Sequence, residues 1–267
     1  MRISSNYFIL FLLFLFSISC GGGNEGEPIL KNRTAEDVKN DFRNLDIQTG
    51  INDFSLESTV AGIYWSFRII KPENATELNK RPLIIDLHGG ASNIYSDAHE
   101  ITNSCLAEPG FSDLNAFIIS PNSLGYFWFE QENQVQVLAL LDLAKLYLPV
   151  DENKIVITGY SDGGNGSWFY ADFYSDLFSA AIPMASSYNP AKSNGDILKI
   201  NIPLYVIHGQ NDELFPISQT EEWVNQSIEA GSDITFVIAE GLTHFEPCDY
   251  VNYVKNASVW LQTEVWN

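Results

Sequence analysis

The segment Gly159-Tyr-Ser161-Asp-Gly163-Gly164 sets a hydroxyl between glycines, directly after the apolar run Ile155-Val-Ile-Thr158 and directly before a helical pattern. Strand, tight turn and helix form the setting in which G-x-S-x-G holds a nucleophile in strained backbone geometry, with glycines wherever side chains would collide. The plain alternative is a glycine-rich strand-to-helix turn with an ordinary serine. Partners decide between the two, because a serine hydroxyl attacks a carbonyl only when a base takes its proton and a third group orients that base.

Four histidines compete for the role of base. His88 and His208 each follow an apolar run and precede glycine, as Leu87-His-Gly-Gly90 and Ile207-His-Gly209, and read as strand-end structural residues. His99 opens His-Glu-Ile-Thr-Asn103, which departs from the zinc-binding H-E-x-x-H pattern at its fifth position. His244, in Gly241-Leu-Thr-His-Phe-Glu246, falls between the last predicted strand and the last predicted helix, on a loop that can reach a sheet's carboxyl edge. Asp212, in His208-Gly-Gln-Asn-Asp-Glu-Leu-Phe-Pro216, follows another strand and is the expected orienting acid. Glu213 is its competitor, with a solvated helix-cap carboxylate near Pro216 as the alternative reading. The backbone N–H groups of Asp162 and Gly90 are the expected oxyanion donors, since Gly89 and Gly90 let the backbone approach a substrate carbonyl. The alternative for Leu87–Gly90 is a simple βα turn.

These residues need a frame. Short, nearly continuous apolar runs at residues 83–87, 116–120, 154–158, 180–185, 203–207 and 234–238 suit parallel strands buried on both faces. Residues 54–58 and 63–70 read as two further strands, able to pair antiparallel across a turn near Gly62. Helical patterns occupy 134–146, 164–174, 218–230 and 250–261, and a short helix is expected within 30–50. The alternation predicts an α/β fold: a mostly parallel central sheet with helices on both faces. Only about sixteen residues separate the strand ending near Ala185 from the one beginning near Ile202, so no large lid domain fits there. The cleft is then expected to be open, walled by residues 91–111, 121–131 and 186–196, with Tyr126 and Trp128 offering rings to a sugar or phenolic group; core packing is the alternative for both.

The N-terminus belongs to export. Arg2 precedes an apolar run of about twelve residues from Tyr7, too short to span a bilayer as a helix, and Ser17-Ile-Ser-Cys20 leads into Gly21-Gly-Gly23 and a polar stretch. The parse is a signal peptide over 1–19, a tether over 20–32 and one catalytic domain over 33–267. Removing residues 1–19 deletes one arginine and no acid, so the net charge goes from -20 to -21 and the acidity belongs to the folded part. That charge argues against nucleic acid and against electrostatic docking on an anionic membrane. Cys105 and Cys248 remain as a pair in an oxidising compartment, either bonded or present as two buried thiols. No metal cluster and no dinucleotide fingerprint is visible, and no cofactor is implied.

Residues 81–261 resemble the esterase branch of the α/β-hydrolase superfamily. The likeness rests on the strand-end His88-Gly-Gly, on Gly159-Tyr-Ser161-Asp-Gly, on H-G-x-x-D around Asp212, and on the late His244, in the chain order Ser, Asp, His. Among branches the chain is similar to polyhydroxybutyrate depolymerase-like, feruloyl and acetylxylan esterases. The N-terminus resembles a bacterial lipoprotein signal, with Ser17 where that family usually has Leu. The resemblance implies lipidation at Cys20 and a membrane contact made only through that anchor, facing the periplasm or cell surface, with plain secretion as the alternative. It also implies a serine hydrolase using a Ser161–His244–Asp212 triad on a small or polymeric ester. Two other readings stay open: a prolyl-oligopeptidase-like peptidase, although about 248 residues leave no space for the β-propeller those enzymes usually carry, and an inactive glycan- or partner-binding lipoprotein.

Overall fold

The structure, a computed structural model, describes residues 33–267. The expected signal peptide, Cys20 and tether lie outside the described residues. The strands are β1 (Gly50–Glu57), β2 (Tyr64–Lys71), β3 (Arg81–Leu87), β4 (Phe117–Pro121), β5 (Val150–Tyr160), β6 (Ala180–Met184), β7 (Leu204–Gly209) and β8 (Ile234–Ala239). They form one sheet in the order β1-β2-β4-β3-β5-β6-β7-β8. β1 and β2 make the antiparallel hairpin expected across Gly62, β2 lies antiparallel to β4, and all later neighbours are parallel. Parallel strands place their carboxyl ends at one edge of the sheet. Because β2 runs the other way, the closed end of the hairpin, residues 58–63, comes to that same edge.

The helices are α1 (Ala35–Arg43), α2 (Ala98–Thr102), α3 (Glu108–Gly110), α4 (Gln131–Tyr147), α5 (Asp162–Phe173), α6 (Ile217–Glu229) and α7 (Val251–Trp260). On one face of the sheet Leu83, Ile85 and Leu87 pack with Val38 and Phe42 of α1, Val137 and Leu141 of α4, and Trp168 of α5. On the other face Ile84, Val156, Ile182 and Ile207 pack with Val254, Ala257 and Trp260 of α7. Strands covered twice need apolar residues at every position, which is why they lack alternation. Each Ile or Leu withdrawn completely from water contributes on the order of 2 kcal/mol. α1 begins with a reciprocal cap: Thr34 Oγ1 accepts from the N–H of Asp37, and the Asp37 carboxylate accepts from the N–H of Thr34.

Two expectations need correction. The second half of the stretch 91–111 is helical where no helix was expected: α2, a π-helical turn over Asn103–Ala107 and α3 run on from one another, with His99, Asn103, Leu106 and Ala107 buried. Pro109 and the polar character of this stretch hide it from a periodicity count, and packing holds it in place. Arg68 of β2 adds an anchor, donating to both Asp53 carboxylate oxygens at 2.7 and 2.8 Å and to Ser104 Oγ at 2.7 Å. Trp128 is the second correction. It is fully buried, donates from Nε1 to the carbonyl of His88 at 2.9 Å, and packs edge-on against the His88 ring. It braces the end of β3 and offers no ring to a ligand.

Asp86 is the one charged residue in the buried part of β3. Its Oδ2 accepts from Ser120 Oγ at 2.9 Å, and Ser120 Oγ accepts from Asn103 Nδ2 at 2.8 Å. Burial pushes its carboxyl up to about 6, against the pull of these hydrogen bonds.

Candidate active site

β5 ends at Tyr160 and α5 begins at Asp162, so Ser161 alone makes the turn. Its backbone sits at φ 57°, ψ -119°, a left-handed conformation that costs a non-glycine residue on the order of 1–3 kcal/mol. The surroundings hold it there: the Ser161 N–H donates to the carbonyl of Met184 at 3.0 Å, and its carbonyl accepts from the N–H of Asn165 at 2.9 Å. Glycine is required on either side because the elbow presses on neighbouring backbone. A Cβ on Gly163 would fall 1.8 Å from the carbonyl oxygen of Leu87, and one on Gly159 would fall 2.3 Å from that of Gly163.

Ser161 Oγ lies 2.8 Å from Nε2 of His244, and Nδ1 of His244 lies 2.8 Å from Oδ2 of Asp212. The two contacts together require Nδ1 to carry the proton towards Asp212 and leave Nε2 free to accept from serine. The remaining oxygen of Asp212, Oδ1, accepts the N–H groups of Leu214 and Phe215 at 2.9 and 2.7 Å. Burial alone would raise the Asp212 carboxyl. The hydrogen bonds from His244 and Phe215 outweigh it and hold the group below its ordinary value, so it stays ionised beside the imidazole.

The His244 loop is fixed at several points. Tyr160 donates its hydroxyl to the His244 carbonyl at 2.7 Å, and Tyr250 donates to the carbonyl of Thr243 at 2.9 Å. Glu213 Oε2 accepts the N–H of His244 at 3.1 Å. Glu213 therefore caps no helix; α6 starts after Pro216 without a side-chain cap. This contact joins residues 31 apart in sequence, so no local pattern announces it. Cys105 and Cys248 form a disulfide that fastens the π-helical turn to the segment just beyond His244.

The backbone at Gly89 passes beside Ser161, where a Cβ would meet the serine's own at 3.2 Å, and Gly90 follows with φ 65°. Asp162 opens α5, so its N–H is one of the helix's first donors and has no intrahelical acceptor. Its carboxylate has a separate task that escaped the sequence reading: it accepts the N–H of Ala91 at 3.0 Å and so pins the Gly89–Gly90 loop to the elbow. Burial pushes the Asp162 carboxyl up, opposed by that same hydrogen bond. His88 is a strut. Its Nε2 accepts the N–H of Ser123 at 3.0 Å while Nδ1 faces the carbonyl of Gly89 at 2.7 Å, and burial lowers its pKa to about 4, leaving it neutral. His208 is likewise buried and donates from Nε2 to the carbonyl of Phe215 at 2.8 Å. Asp53, His99 and Glu100 lie close enough together to suggest a cation site, but Arg68 already supplies the positive charge there. Tyr126 is exposed at the same edge of the sheet, and the connection 185–203 carries only an isolated bridge between Ala191 and Ile197.

A mostly parallel sheet with a strained serine at its central strand-to-helix turn defines the α/β-hydrolase class. Within that class the chain belongs to the dienelactone hydrolase family, whose model matches residues 126–265. It is similar to cutinase est1 of Thermobifida alba, at 26% identity over 117 residues, covering 44% of this chain and 36% of that protein. It is also similar to an uncharacterized secreted protein of Arthroderma benhamiae, at 29% identity over 136 residues, covering 45% of this chain and 14% of the other. The matched stretches thus span well under half the length of these relatives. Among solved structures, FphF, the fluorophosphonate-binding serine hydrolase F of Staphylococcus aureus, shares the fold with a TM-score of 0.66 at 16% identity, over 81% of this chain and 100% of that one. Among the described residues no helix is long and apolar enough to cross a membrane.

Proposed function

We propose that the protein is an exported serine esterase in which Ser161 is the nucleophile, His244 the general base and acid, and Asp212 the group that orients and stabilises the imidazole. The observation that carries this reading is the unbroken relay from Ser161 Oγ through His244 to Asp212, each step 2.8 Å long, on a turn that forces the serine outward. Ser161 Oγ attacks the ester carbonyl as its proton passes to His244 Nε2. The tetrahedral oxyanion accepts from the N–H groups of Asp162 and Gly90, each such donor contributing about 3 kcal/mol. The C–O bond to the alcohol breaks as His244 returns the proton to the leaving oxygen. Water then adds to the acyl-serine with His244 again as base, releasing the acid and restoring Ser161.

A net charge of -20 disfavours strongly anionic substrates, and the short connection after β6 leaves the site open to a chain. The substrate we favour is a neutral carboxylic ester, carbohydrate-linked acetyl or feruloyl, or a polyester. We read residues 1–19 as the export signal, Cys20 as the lipid-bearing residue and 33–267 as the catalytic domain.

The test is hydrolysis of p-nitrophenyl acetate by the wild type and by Ser161→Ala, with fluorophosphonate labelling of both. Wild-type turnover and labelling are expected to fall at least a thousandfold in the variant, with an unchanged far-UV spectrum. Undiminished turnover in folded Ser161→Ala refutes the assignment.

A further inference from the structure

Beside this site, on the same edge of the sheet, is a cleft of about 500 Å³ between the closed end of the β1–β2 hairpin and the first turn of α4. Its apolar wall comprises Val60, Ile63, Trp65, Leu124, Tyr126 and Val135. Val60 and Val135 are 62% and 50% exposed, more than a half-buried packing position requires. β2 stands three strands from β5, so at roughly 4.8 Å per strand the strand that carries Trp65 runs about 14 Å across the sheet from the one that ends at Ser161.

The cleft and the nucleophile share one hydrogen-bonded frame. Ser123, next to Leu124 of the wall, donates from its N–H to His88 and from Oγ to the carbonyl of Ala91 at 2.6 Å. Asn133, fully buried in α4, accepts the N–H of Leu124 at 3.0 Å and donates to the carbonyl of Tyr126 at 2.7 Å. Ile94 of the Gly90 loop packs against Gly125, so close that a Cβ there would lie 2.9 Å from it. Leu124 and Tyr126 are thereby fixed in place, which lowers the entropy lost on binding against them. Glu132 is the one carboxylate in the lining and repels an anion.

We propose that this cleft binds an uncharged aromatic unit of an extended ester whose scissile carbonyl lies at Ser161. The proposal rests on the esterase reading and adds to it the length and chemistry of the substrate. The exposed Tyr126 ring and the branched side chains of Val60, Ile63 and Val135, with the buried Trp65 beneath them, suit a planar apolar ring. A strand-to-strand spacing of about 14 Å suits the distal unit of a chain and exceeds the reach of a single small ester.

Hexane-1,6-diol dibenzoate, whose far ring reaches about as far from its near carbonyl, is the probe. Its binding to Ser161→Ala protein, followed by tryptophan fluorescence, needs no turnover. The dissociation constant is expected to rise at least tenfold when Val135→Arg is added, and likewise with Val60→Arg; both sites are exposed enough to accept arginine. In the active protein, the ratio of kcat/KM for this diester to that for methyl benzoate is expected to fall at least fivefold in each variant. Binding and ratio unchanged in both variants overturn the proposal. A wild type that sediments as a dimer, and turns monomeric with Val135→Arg, also overturns it by assigning the cleft to a second copy. Val135-dependent binding in a protein that turns over no ester refutes the esterase reading and upholds the aromatic site.

Discussion

Asp86→Asn is expected to stabilise the protein at pH 8 and to change little at pH 4. The carboxyl is completely buried, and burial raises it to about 6 from the ordinary 3.8. Among the described residues, its Oδ1 and the Oδ1 of Asn103 are both buried acceptors that no donor reaches. A proton on the acid supplies a donor, and so does an amide nitrogen at position 86. Since the folded protein holds this proton more tightly than the unfolded chain, the stability it confers is complete below about pH 3.8. That stability is lost as pH rises through about 6. The gap corresponds to about 3 kcal/mol, at 1.36 kcal/mol per pH unit. For a protein of this size that amounts to roughly 6–12 °C in Tm. Urea unfolding of wild type and variant at pH 4, 6 and 8, followed by tryptophan fluorescence, measures the difference directly. Taking the difference cancels the repulsion among the surface carboxylates, which both proteins share. A stability difference that is the same at pH 4 and pH 8, or a variant less stable at pH 8, would show that Asp86 is not a costly buried charge.

Replacing Cys105 and Cys248 together by Ser opens a loop of 143 residues, for which the chain-entropy model gives a loss of roughly 5 kcal/mol; urea unfolding with and without reductant on the wild type should reproduce the shift, and no shift refutes a stabilising role. Glu213 acts through His244, so Glu213→Ala is expected to lower kcat for p-nitrophenyl acetate three- to tenfold with KM unchanged. Glu213→Gln keeps an oxygen acceptor for the His244 N–H and should restore most of the loss. Equal losses in the two variants would point to charge instead of the hydrogen bond.

Much of this is legible in the sequence because the chemistry sits at strand ends. Ser161 and Asp212 each follow a run of buried apolar residues, and the order of the runs in a parallel sheet brings their ends to one edge. His244 follows β8, which the apolar run 234–238 predicts to be buried on both faces but which, as the last strand of the sheet, is half-buried along most of its length. Period and flanking glycines carry that information locally. What escapes is set by contacts between distant segments. Glu213 and His244, or Asp162 and Ala91, meet only after the sheet has formed, and no spacing encodes them. Tyr126 and Trp128 are two apart in a loop of no fixed period, so sequence treats them alike; the fold turns Trp128 under the end of β3 and leaves Tyr126 outside. The helical stretch 98–110 is equally hidden, since its Pro109 and its π-turn break the 3.6-residue repeat.

The bond between Cys105 and Cys248 encloses Ser161, Asp212 and His244 in a single covalent ring. A protease that cut the exposed stretch around residues 192–196 would leave Ser161 on one piece and Asp212 and His244 on the other, yet the two pieces would remain one molecule. A nick there would not by itself let the halves diffuse apart. It would pass unseen on a sizing column and appear as two bands only on a reducing gel.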